Sequence, residues 1–428
     1  MFEDSTTLVS SSFPKHAKYK PSGVDWLGEV PEHWEKKKIK LLFEETSEKG
    51  HADAELLSVT QSQGVVPRTW LDARTVLPTG GLDGFKFIRQ GEFAISLRSF
   101  QGGIEICHHD GIISPAYTTL RLVESQNKQF WRHLFKSHSF IQLSQLAVVG
   151  IREGKTISYP LLRRLSLSFP PIHEQKAIVN FLDAKTKEIE EAVKQKQRTI
   201  ELLEEYKQSL IERAVTKGLD PSVPMKDSGV DWLGEVPEHW ELTAAIHFLR
   251  ERKEQYVVKD KILSLSYGNI KLRDLESGEG LHPATYNDYN RVRKGDIVIR
   301  PTDLQNDKTS LRSGHSLIDG AVSGAYIVFK VIQVDSRWMA YTIRSIDLCK
   351  ELYKHGSGLR QNLNVSDFKN LGISTPPLLE QIQIVNFLDS KTKEIEEAKS
   401  SIQCQIDHLK EYKDSLIESA VTGKIKVA

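Results

Sequence analysis

The chain has 428 residues, 39% of them apolar, and its 58 Lys and Arg residues are balanced by 57 Asp and Glu residues. No apolar run approaches the ~18 residues of a membrane-spanning helix, and three widely separated cysteines exclude a disulfide framework or a paired zinc motif. We therefore expect a cytoplasmic protein of roughly two or three domains without a signal peptide, in which residues 1–20 form a flexible lead-in.

The sequence is an internal repeat with an offset of 206 residues. The fourteen letters SGVDWLGEVPEHWE occupy residues 22–35 and again residues 228–241. Residues 170–216 and 376–422 are identical at 31 of 47 positions. The chain therefore consists of two homologous halves, and the tryptophan-containing block that opens each half is predicted to pack on a long helix.

The dissimilar stretches 36–169 and 242–375 are predicted to be α+β domains. Alternating β-branched and aromatic residues between Gly, Pro and Asp favour strands, whereas helical spacing of apolar residues favours helices. The predicted strands are Glu92 to Leu97, Ile112 to Leu122, Asp296 to Ile299 and Ala325 to Val331, and the predicted helices are Gln129 to Leu146 and Trp338 to Tyr353. The stretches carry net charges of +6 and +5, which is modest but suits contact with phosphates.

Each half ends in a long predicted helix. Pro170 and Pro171 fix its entry, Glu174 complements the helix dipole, and no further Pro or Gly occurs before Gly218. Apolar residues recur every seven positions, as in a coiled coil, although a helix that only buries a core was the alternative. The predicted seam residues are Leu182, Ile189, Val193, Ile200, Leu203, Leu210, Leu388, Ile395, Ile402, Ile406, Leu409 and Leu416.

These motifs resemble the specificity subunits of type I restriction-modification systems, which act in host defence. The resemblance rests on SGVDWLGEVPEHWE opening each half, on PP(x2)EQ(x2)IVNFLD opening each long helix, and on AVT near its end. It implies two target recognition domains, each reading one half of a split DNA site, and an antiparallel coiled coil that sets the spacing. DNA methylation and cleavage would belong to partners, namely two adenine methyltransferase subunits and endonuclease/translocase subunits that use S-adenosylmethionine, ATP and Mg.

The repeat and the resemblance together predict a pseudo-twofold arrangement. The predicted divisions are a lead-in at 1–20, target recognition domain 1 at 21–169, helix 1 at 170–217, a linker at 218–227, target recognition domain 2 at 228–375, helix 2 at 376–422 and a tail at 423–428.

Side chains that read DNA bases carry paired donors and acceptors, mainly Arg, Asn and Gln. The best candidates lie where the two halves differ in length, directly after a predicted strand, and just before each long helix. The candidate DNA-binding residues are Arg98, Ser99, Gln101, Arg152, Lys155, Arg300, Gln305, Asn306, Lys308, Arg312, Arg360, Gln361 and Asn362. The alternative for each is an ordinary polar surface loop. Lys36, Lys37, Lys38 and Lys40 suit a phosphate contact or a solvated charge run.

No catalytic residue, bound cofactor or metal is predicted for the chain itself. Residues 147–156 have three residues between the glycines where a phosphate-binding loop needs four. Phe169 and Thr375, which precede the two Pro-Pro pairs, stand where the amino-methyltransferase motif has Asn or Asp, and the Cys107 to Asp110 cluster has no second ligand cluster. The alternative function is a coiled-coil assembly scaffold without sequence-specific DNA binding.

Overall fold

The computed structural model describes residues 12–23, 27–61, 63–71, 81–96, 103–123, 125–150, 156–273, 286–306, 311–356, 362–369 and 371–427. The chain divides into two compact units. Unit 1 comprises residues 1–197 and 403–428, and unit 2 comprises residues 198–402. No helix within the described ranges is long and apolar enough to cross a bilayer.

Unit 1 contains fourteen described strands and four short helices before the first long helix. The strands are β1 Tyr19–Pro21, β2 Glu29–Pro31, β3 Glu35–Lys38, β4 Phe43–Thr46, β5 Leu57–Thr60, β6 Gly64–Pro67, β7 Lys86–Ile88, β8 Phe93–Ile95, β9 Ile104–Ile106, β10 Gly111–Ile113, β11 Thr118–Leu122, β12 Val148–Val149, β13 Thr156–Ile157 and β14 Ser166–Phe169. The helices are α1 Ile39–Leu42, α2 Lys128–Lys136, α3 His138–Gln145 and α4 Tyr159–Leu162. The first long helix, α5, spans Ile172–Lys217.

Unit 2 contains twelve described strands. They are β15 Met225–Asp227, β16 Glu235–Pro237, β17 Glu241–Ala244, β18 Leu249–Glu251, β19 Leu263–Ser266, β20 Asn269–Leu272, β21 Asn290–Val292, β22 Ile297–Ile299, β23 Ser313–His315, β24 Gly320–Val322, β25 Ile327–Val331 and β26 Gly372–Thr375. The domain helix is α6 Ser336–Leu348, and the second long helix is α7 Leu378–Val421.

The two units share one sheet topology. A four-stranded antiparallel sheet has the order β4-β11-β8-β9 in unit 1 and β18-β25-β22-β23 in unit 2. Four two-stranded pairs also correspond: β1-β2 with β15-β16, β3-β14 with β17-β26, β5-β6 with β19-β20, and β7-β10 with β21-β24. The pair β12-β13 occurs in unit 1. The predicted α+β repeat is therefore confirmed.

Three predicted elements are shorter than expected. The strand expected from Ile112 to Leu122 is two strands, because Pro115 lies in a turn that Tyr117 N closes onto Ser114 O at 3.1 Å. The helix expected from Gln129 to Leu146 breaks at Ser137, whose extended backbone (ψ 148°) and side chain cap α3.

The third shortened element is the helix expected from Trp338 to Tyr353. It ends at Leu348, and Lys350 then adopts a left-handed backbone (φ 57°) before a 3-10 turn at Glu351–Lys354.

The long helices pair in opposite directions, as the resemblance implied. In unit 1, Lys413 Nζ lies 3.4 Å from Glu190 Oε1, and Lys196 Nζ donates to Gln405 Oε1 at 2.6 Å. In unit 2, Lys207 Nζ lies 2.7 Å from Glu396 Oε1, and Lys399 Nζ lies 2.5 Å from Glu204 Oε2. Residue numbers rise along one helix as they fall along the other, so the pairing is antiparallel within each unit.

The predicted seam faces inward. Leu182, Leu388, Leu416 and Ile406 are at most 1% exposed, and the other eight predicted seam residues are buried or half-buried. Each half of the helix pair shares one core with its domain. In unit 1 the core joins Leu182 and Leu416 to Trp131, and in unit 2 it joins Ile211 and Leu388 to Trp338.

Candidate nucleic-acid interface

Three repeated sequence motifs meet in unit 1 and fix the domain to the helix pair. Trp34 is 1% exposed, and its Nε1 donates to Glu174 Oε1 at 3.0 Å. His33 Nε2 lies 2.7 Å from Glu174 Oε2. Gly423, just beyond α7, lies so close to Trp34 and Pro31 that an added Cβ would sit 2.4 Å from Pro31 Cδ. The glycine is required there by close contact and by its positive φ of 75°.

Unit 2 repeats this arrangement with the other ends of the two helices. Trp240 is 1% exposed, and His239 Nε2 lies 2.8 Å from Glu380 Oε2. Gly218, just beyond α5, is the glycine that packs against Trp240 and Glu380. We call this cluster of Trp, Glu and Gly the frame junction of each unit. The prediction that the tryptophan blocks pack on the long helices holds at Trp34 and Trp240.

A glutamine next to each junction orients the domain helix. Gln175 Oε1 accepts from Asn127 N at 3.0 Å, and its Nε2 donates to Pro170 O at 2.9 Å. Gln381 makes the same two contacts, with Asp335 N at 2.8 Å and Pro376 O at 2.8 Å. Asn127 and Asp335 are the N-caps of α2 and α6, so the repeated Glu-Gln pair sets where each domain helix begins.

The junction of unit 1 also brings together three potential metal ligands. Ligand atoms of His16, His33 and Glu174 lie within 4.8 Å of one another. Both Glu174 oxygens already accept hydrogen bonds from Trp34 and His33, and the second unit builds the same junction from His239 and Glu380. Glu174 and its partners therefore form the hydrogen-bond network of the frame junction in unit 1.

The second domain presents a polar loop directly after strand β22. Arg300, Gln305 and Asn306 are exposed, and Leu304–Asn306 forms a 3-10 turn. We call residues 300–306 the reading loop, because they include three of the residues predicted to read DNA, Arg300, Gln305 and Asn306. Asp303 has a left-handed backbone (φ 60°), and its N–H donates to Asn362 Oδ1 at 3.0 Å. Leu363 N donates to Pro301 O at 2.8 Å, so two candidate segments 60 residues apart in sequence form one surface.

The buried side chain of Arg312 holds this loop through hydrogen bonds to its backbone carbonyls. Its side chain is 1% exposed, and its guanidinium donates to Thr302 O and to Asp303 O, both at 2.6 Å. Its backbone N–H donates to Asp347 Oδ2 at 2.7 Å. Arg312 was predicted to read DNA, but in this structure it braces the residues that carry Arg300, Gln305 and Asn306.

The other candidate DNA-reading residues fall outside the described ranges. They are Arg98, Ser99, Gln101, Arg152, Lys155, Lys308, Arg360 and Gln361. The lysine run has partly structural contacts: Lys36 Nζ donates to Ser22 O at 2.7 Å, and Lys37 Nζ lies 3.3 Å from Glu35 Oε1. Lys38 and Lys40 are exposed.

A buried acidic residue directly precedes one of the two inner strands of the four-stranded sheet in each unit, β8 in unit 1 and β22 in unit 2. Glu92 accepts from Arg89 N at 2.9 Å and from Arg121 Nε at 2.6 Å. Asp296 accepts from Arg293 N at 2.8 Å and from Arg252 Nε at 2.6 Å, and this hydrogen bond raises the pKa of Arg252. In the sequence each of these acids directly follows a glycine, as Gly91-Glu92 and Gly295-Asp296. Their positions relative to the arginines depend on strand pairing that only the fold shows.

The thiol of Cys107 is not suited to metal binding. It is 1% exposed, its Sγ donates to His109 O at 2.9 Å, and burial raises its pKa to about 12. The thiol is thus protonated at neutral pH, whereas a metal requires the thiolate.

Unit 2 contains a cleft of about 860 Å³ between its domain and its helix pair. Tyr267, Asn269 and His315 line the domain side, and Lys393 lines the helix side. Tyr341 projects from α6 into the boundary, where its hydroxyl donates to Asp389 Oδ1 at 2.8 Å. Such a cleft gives a ligand access to the edge of the four-stranded sheet.

The fold defines a class of protein: a duplicated α+β domain mounted on an antiparallel helix pair. A family model described as the type I restriction modification DNA specificity domain matches residues 285–403. A specificity subunit of the type I restriction enzyme MjaVIII of Methanocaldococcus jannaschii is 23% identical over 338 residues, covering 74% of this chain and 75% of that protein. The EcoBI specificity subunit of Escherichia coli is 21% identical over 346 residues, covering 74% and 70%.

Solved structures have the same fold. A chain from a study of complex assembly and conformational transition of the type I restriction-modification system superposes with a TM-score of 0.66 at 14% identity, covering 92% of this chain and 98% of that one. The HsdS subunit of Thermoanaerobacter tengcongensis gives 0.52 at 15% identity, with the same coverage. The comparisons agree with the resemblance carried by the motifs: the chain is similar to specificity subunits of type I restriction-modification systems.

Proposed function

We propose that the chain is a type I specificity subunit that recognises a bipartite DNA sequence, with each target recognition domain reading one half-site. The observation that carries the proposal is the contrast between a repeated frame and a divergent surface. Both units keep the same sheet and attach it to the long helices through the same repeated motifs, yet the stretches that follow the corresponding strands differ in sequence and length, RSFQGG at residues 98–103 and RPTDLQNDK at residues 300–308. Two copies of one fold with different polar surfaces suit the recognition of two different half-sites.

The chemistry of the reading loop suits base recognition. Arginine donors match guanine, and the amides of Asn and Gln match adenine in the major groove. Arg312 and Asn362 hold the loop in one conformation before DNA arrives. A loop that is already ordered loses less conformational entropy on binding, which favours discrimination between similar sequences.

The coiled coil sets the spacing between half-sites in this proposal. Its helices, α5 and α7, are 46 and 44 residues long, and a continuous helix is a stiff spacer. Type I specificity subunits assemble with methyltransferase and restriction subunits. We assign methyl transfer and cleavage to two methyltransferase subunits and to endonuclease/translocase subunits, which would use S-adenosylmethionine, ATP and Mg. The specificity subunit itself is non-catalytic in this scheme and places the target adenines for base flipping by its partners.

The test is sequence-selective methylation by the full chain co-expressed with its methyltransferase partner. Modified-base sequencing of the host genome should show one split motif with two defined halves. In vitro, the complex should retain DNA with that motif at ~0.15 M salt, and retention should weaken steeply as salt rises. A coiled-coil scaffold would retain the methyltransferase but would show no preferred DNA sequence.

A variant of the reading loop should act on one half-site only. Arg300→Ala in the co-expressed complex should reduce discrimination in the second half-site by about tenfold, because one bidentate base contact contributes about 1–3 kcal/mol. Lys259→Ala, an exposed cation elsewhere in unit 2, is the matched control. Equal loss of DNA binding for all sequences in Arg300→Ala would assign the residue to phosphate contact instead of base reading.

A further inference from the structure

The hairpin of strands β19 and β20 has an unusual tip. Ser266 pairs with Asn269, so Tyr267 and Gly268 form a two-residue loop, with φ of 46° and 73°. Positive φ at both positions is typical of a type I′ turn, for which Asn-Gly is the favoured sequence. A tyrosine is disfavoured at the first position because its Cβ meets the backbone there. Tyr267 is nevertheless 78% exposed, so packing does not explain its presence.

The tip is held in place by Arg344 of helix α6. Arg344 Nη2 donates to Gly268 O at 2.7 Å and also to Ser313 O. Gly268 has a positive φ of 73°, and an added Cβ would lie 2.0 Å from Arg344 Nη1, so a larger residue would displace the guanidinium. Ser313 is the first residue of β23, the strand that follows the reading loop. One guanidinium therefore ties the hairpin tip to the strand that leaves the reading loop.

In the first domain a lysine makes the equivalent contact with the corresponding hairpin, whose loop is three residues long. Lys136 of α2 donates to Gln61 O at 3.3 Å, at the tip of the β5-β6 hairpin, and pairs with Glu105 on β9 at 2.5 Å. Strand β9 follows the region where the first set of candidate residues lies. The brace is thus repeated, but the exposed tip residues are Gln61 and Gln63 in one domain and Tyr267 and Asn269 in the other.

We propose that these hairpin tips are specificity-determining elements, with Tyr267 of the second domain contacting a base of its half-site. The inference rests on the proposed DNA-recognition function and adds residues to its reading surface. Arg344 ties the tip to Ser313, and Tyr267 and Asn269 line the cleft of unit 2, so their side chains are open to a ligand. A tyrosine ring offers an apolar face for a thymine methyl group or a base plane, and its hydroxyl can bond to a base edge. Asn269 Nδ2 donates to Tyr267 O at 3.2 Å and stabilises the tip.

The turn chemistry supplies a variant that separates recognition from folding. Tyr267→Asn creates the favoured Asn-Gly turn, so the thermal stability of the chain should stay the same or rise. In the co-expressed methyltransferase complex, this variant should discriminate the second half-site from its single-base variants about tenfold less well than wild type. Discrimination in the first half-site should not change. Tyr267→Phe should retain most of the preference, and Val258→Ala, at a residue 87% exposed, is the control for surface change.

The first domain offers the reciprocal variant. Gln63→Ala should alter discrimination in the first half-site and leave the second unchanged.

Each other outcome overturns the inference in a distinguishable way. Wild-type selectivity in both half-sites of Tyr267→Asn would remove the hairpin from the reading surface while the proposed function stands. Weaker recovery of the methyltransferase subunit with unchanged sequence preference would assign the tip to a protein contact. A wild-type complex that methylates DNA without any sequence preference would overturn the proposed function and this inference together.

Discussion

The two units are most alike where the domain meets the helix pair and least alike where side chains are exposed. At the junction, Gln175 and Gln381 make the same two hydrogen bonds, at distances that agree within 0.2 Å. On the hairpin tips, Gln61 and Gln63 correspond to Tyr267 and Asn269. The two units therefore share the contacts that attach each domain to the helix pair, whereas the exposed residues of the hairpin tips differ.

Between these extremes lie positions where the role is kept and the residue changes. Lys136 and Arg344 both brace a hairpin carbonyl, and His133 and Tyr341 both hydrogen-bond to an aspartate of a long helix. The aspartates, Asp183 and Asp389, are repeated 206 residues apart. At both positions the residue type differs between the units, and each unit keeps a hydrogen-bond donor of suitable reach. Substitutions at the frame junctions, at these supporting hydrogen bonds and at exposed residues should therefore have different effects.

The largest loss of stability is expected from substitution of the buried tryptophans at the two frame junctions. Trp34→Ala and Trp240→Ala should each lower the free energy of unfolding of their unit by about 3–5 kcal/mol, because a large, fully buried side chain leaves a cavity. Trp34 should be the more sensitive of the two, since its Nε1 also donates to Glu174. Urea-induced unfolding followed by circular dichroism measures the change.

Trp70 provides the control for the loss of a tryptophan. It is 62% exposed, so Trp70→Ala should change the unfolding midpoint little. If Trp34→Ala and Trp240→Ala differed by more than the contribution of one hydrogen bond, the equivalence of the two junctions would be wrong.

A smaller loss is expected from the repeated glutamines. Gln175→Ala and Gln381→Ala each leave a backbone N–H of an N-cap and a proline carbonyl without their partner, which costs about 1–3 kcal/mol. The matched control is Gln383→Ala, at an exposed glutamine on the same helix as Gln381. The same urea titration should show the two buried variants shifted by similar amounts. A shift in only one would show that the shared geometry has different energetic weight in the two units.

The duplication and the two long helices could be predicted because they produce repeated and periodic sequence patterns. The 206-residue offset identified the duplication, and heptad spacing identified twelve seam residues, none of which is exposed. The errors in the domains came from local signals that were available but outweighed. Pro115 breaks a predicted strand, and Ser137 caps a second helix inside a predicted single one.

The parts of the site that were missed depend on contacts between distant residues. Arg344 and Gly268 are 76 positions apart, and no spacing rule connects them. The burial of Arg312 and its role as a brace likewise follow from the path of the loop above it. The Tyr-Gly pair at the hairpin tip was the one available signal, because an aromatic residue before glycine is unusual in a tight turn.

The smallest predicted effect concerns pH and uses the substitution that the repeat itself contains. In unit 1, burial lowers the pKa of His133 below its ordinary value of 6.5 and nearby Arg132 lowers it further, while Asp183 opposes them in part. In the corresponding place of unit 2, burial raises the pKa of Tyr341 to about 12, so this group does not titrate near neutral pH. A histidine held neutral in the folded state stabilises fully above pH 6.5, and this stabilisation is lost as the pH falls through the lowered pKa of the folded state.

His133→Tyr should therefore flatten the decline in the thermal stability of unit 1 on going from about pH 7 to pH 5. Some slope should remain, because burial also lowers the pKa values of His16 and His108 in the same unit. Thermal melts at a series of pH values measure the slope, with His173→Tyr, at an exposed position of α5, as the control. An unchanged slope in His133→Tyr would mean that the imidazole is solvated in the folded chain. The two halves would then differ in residue type at this position without differing in their response to acid.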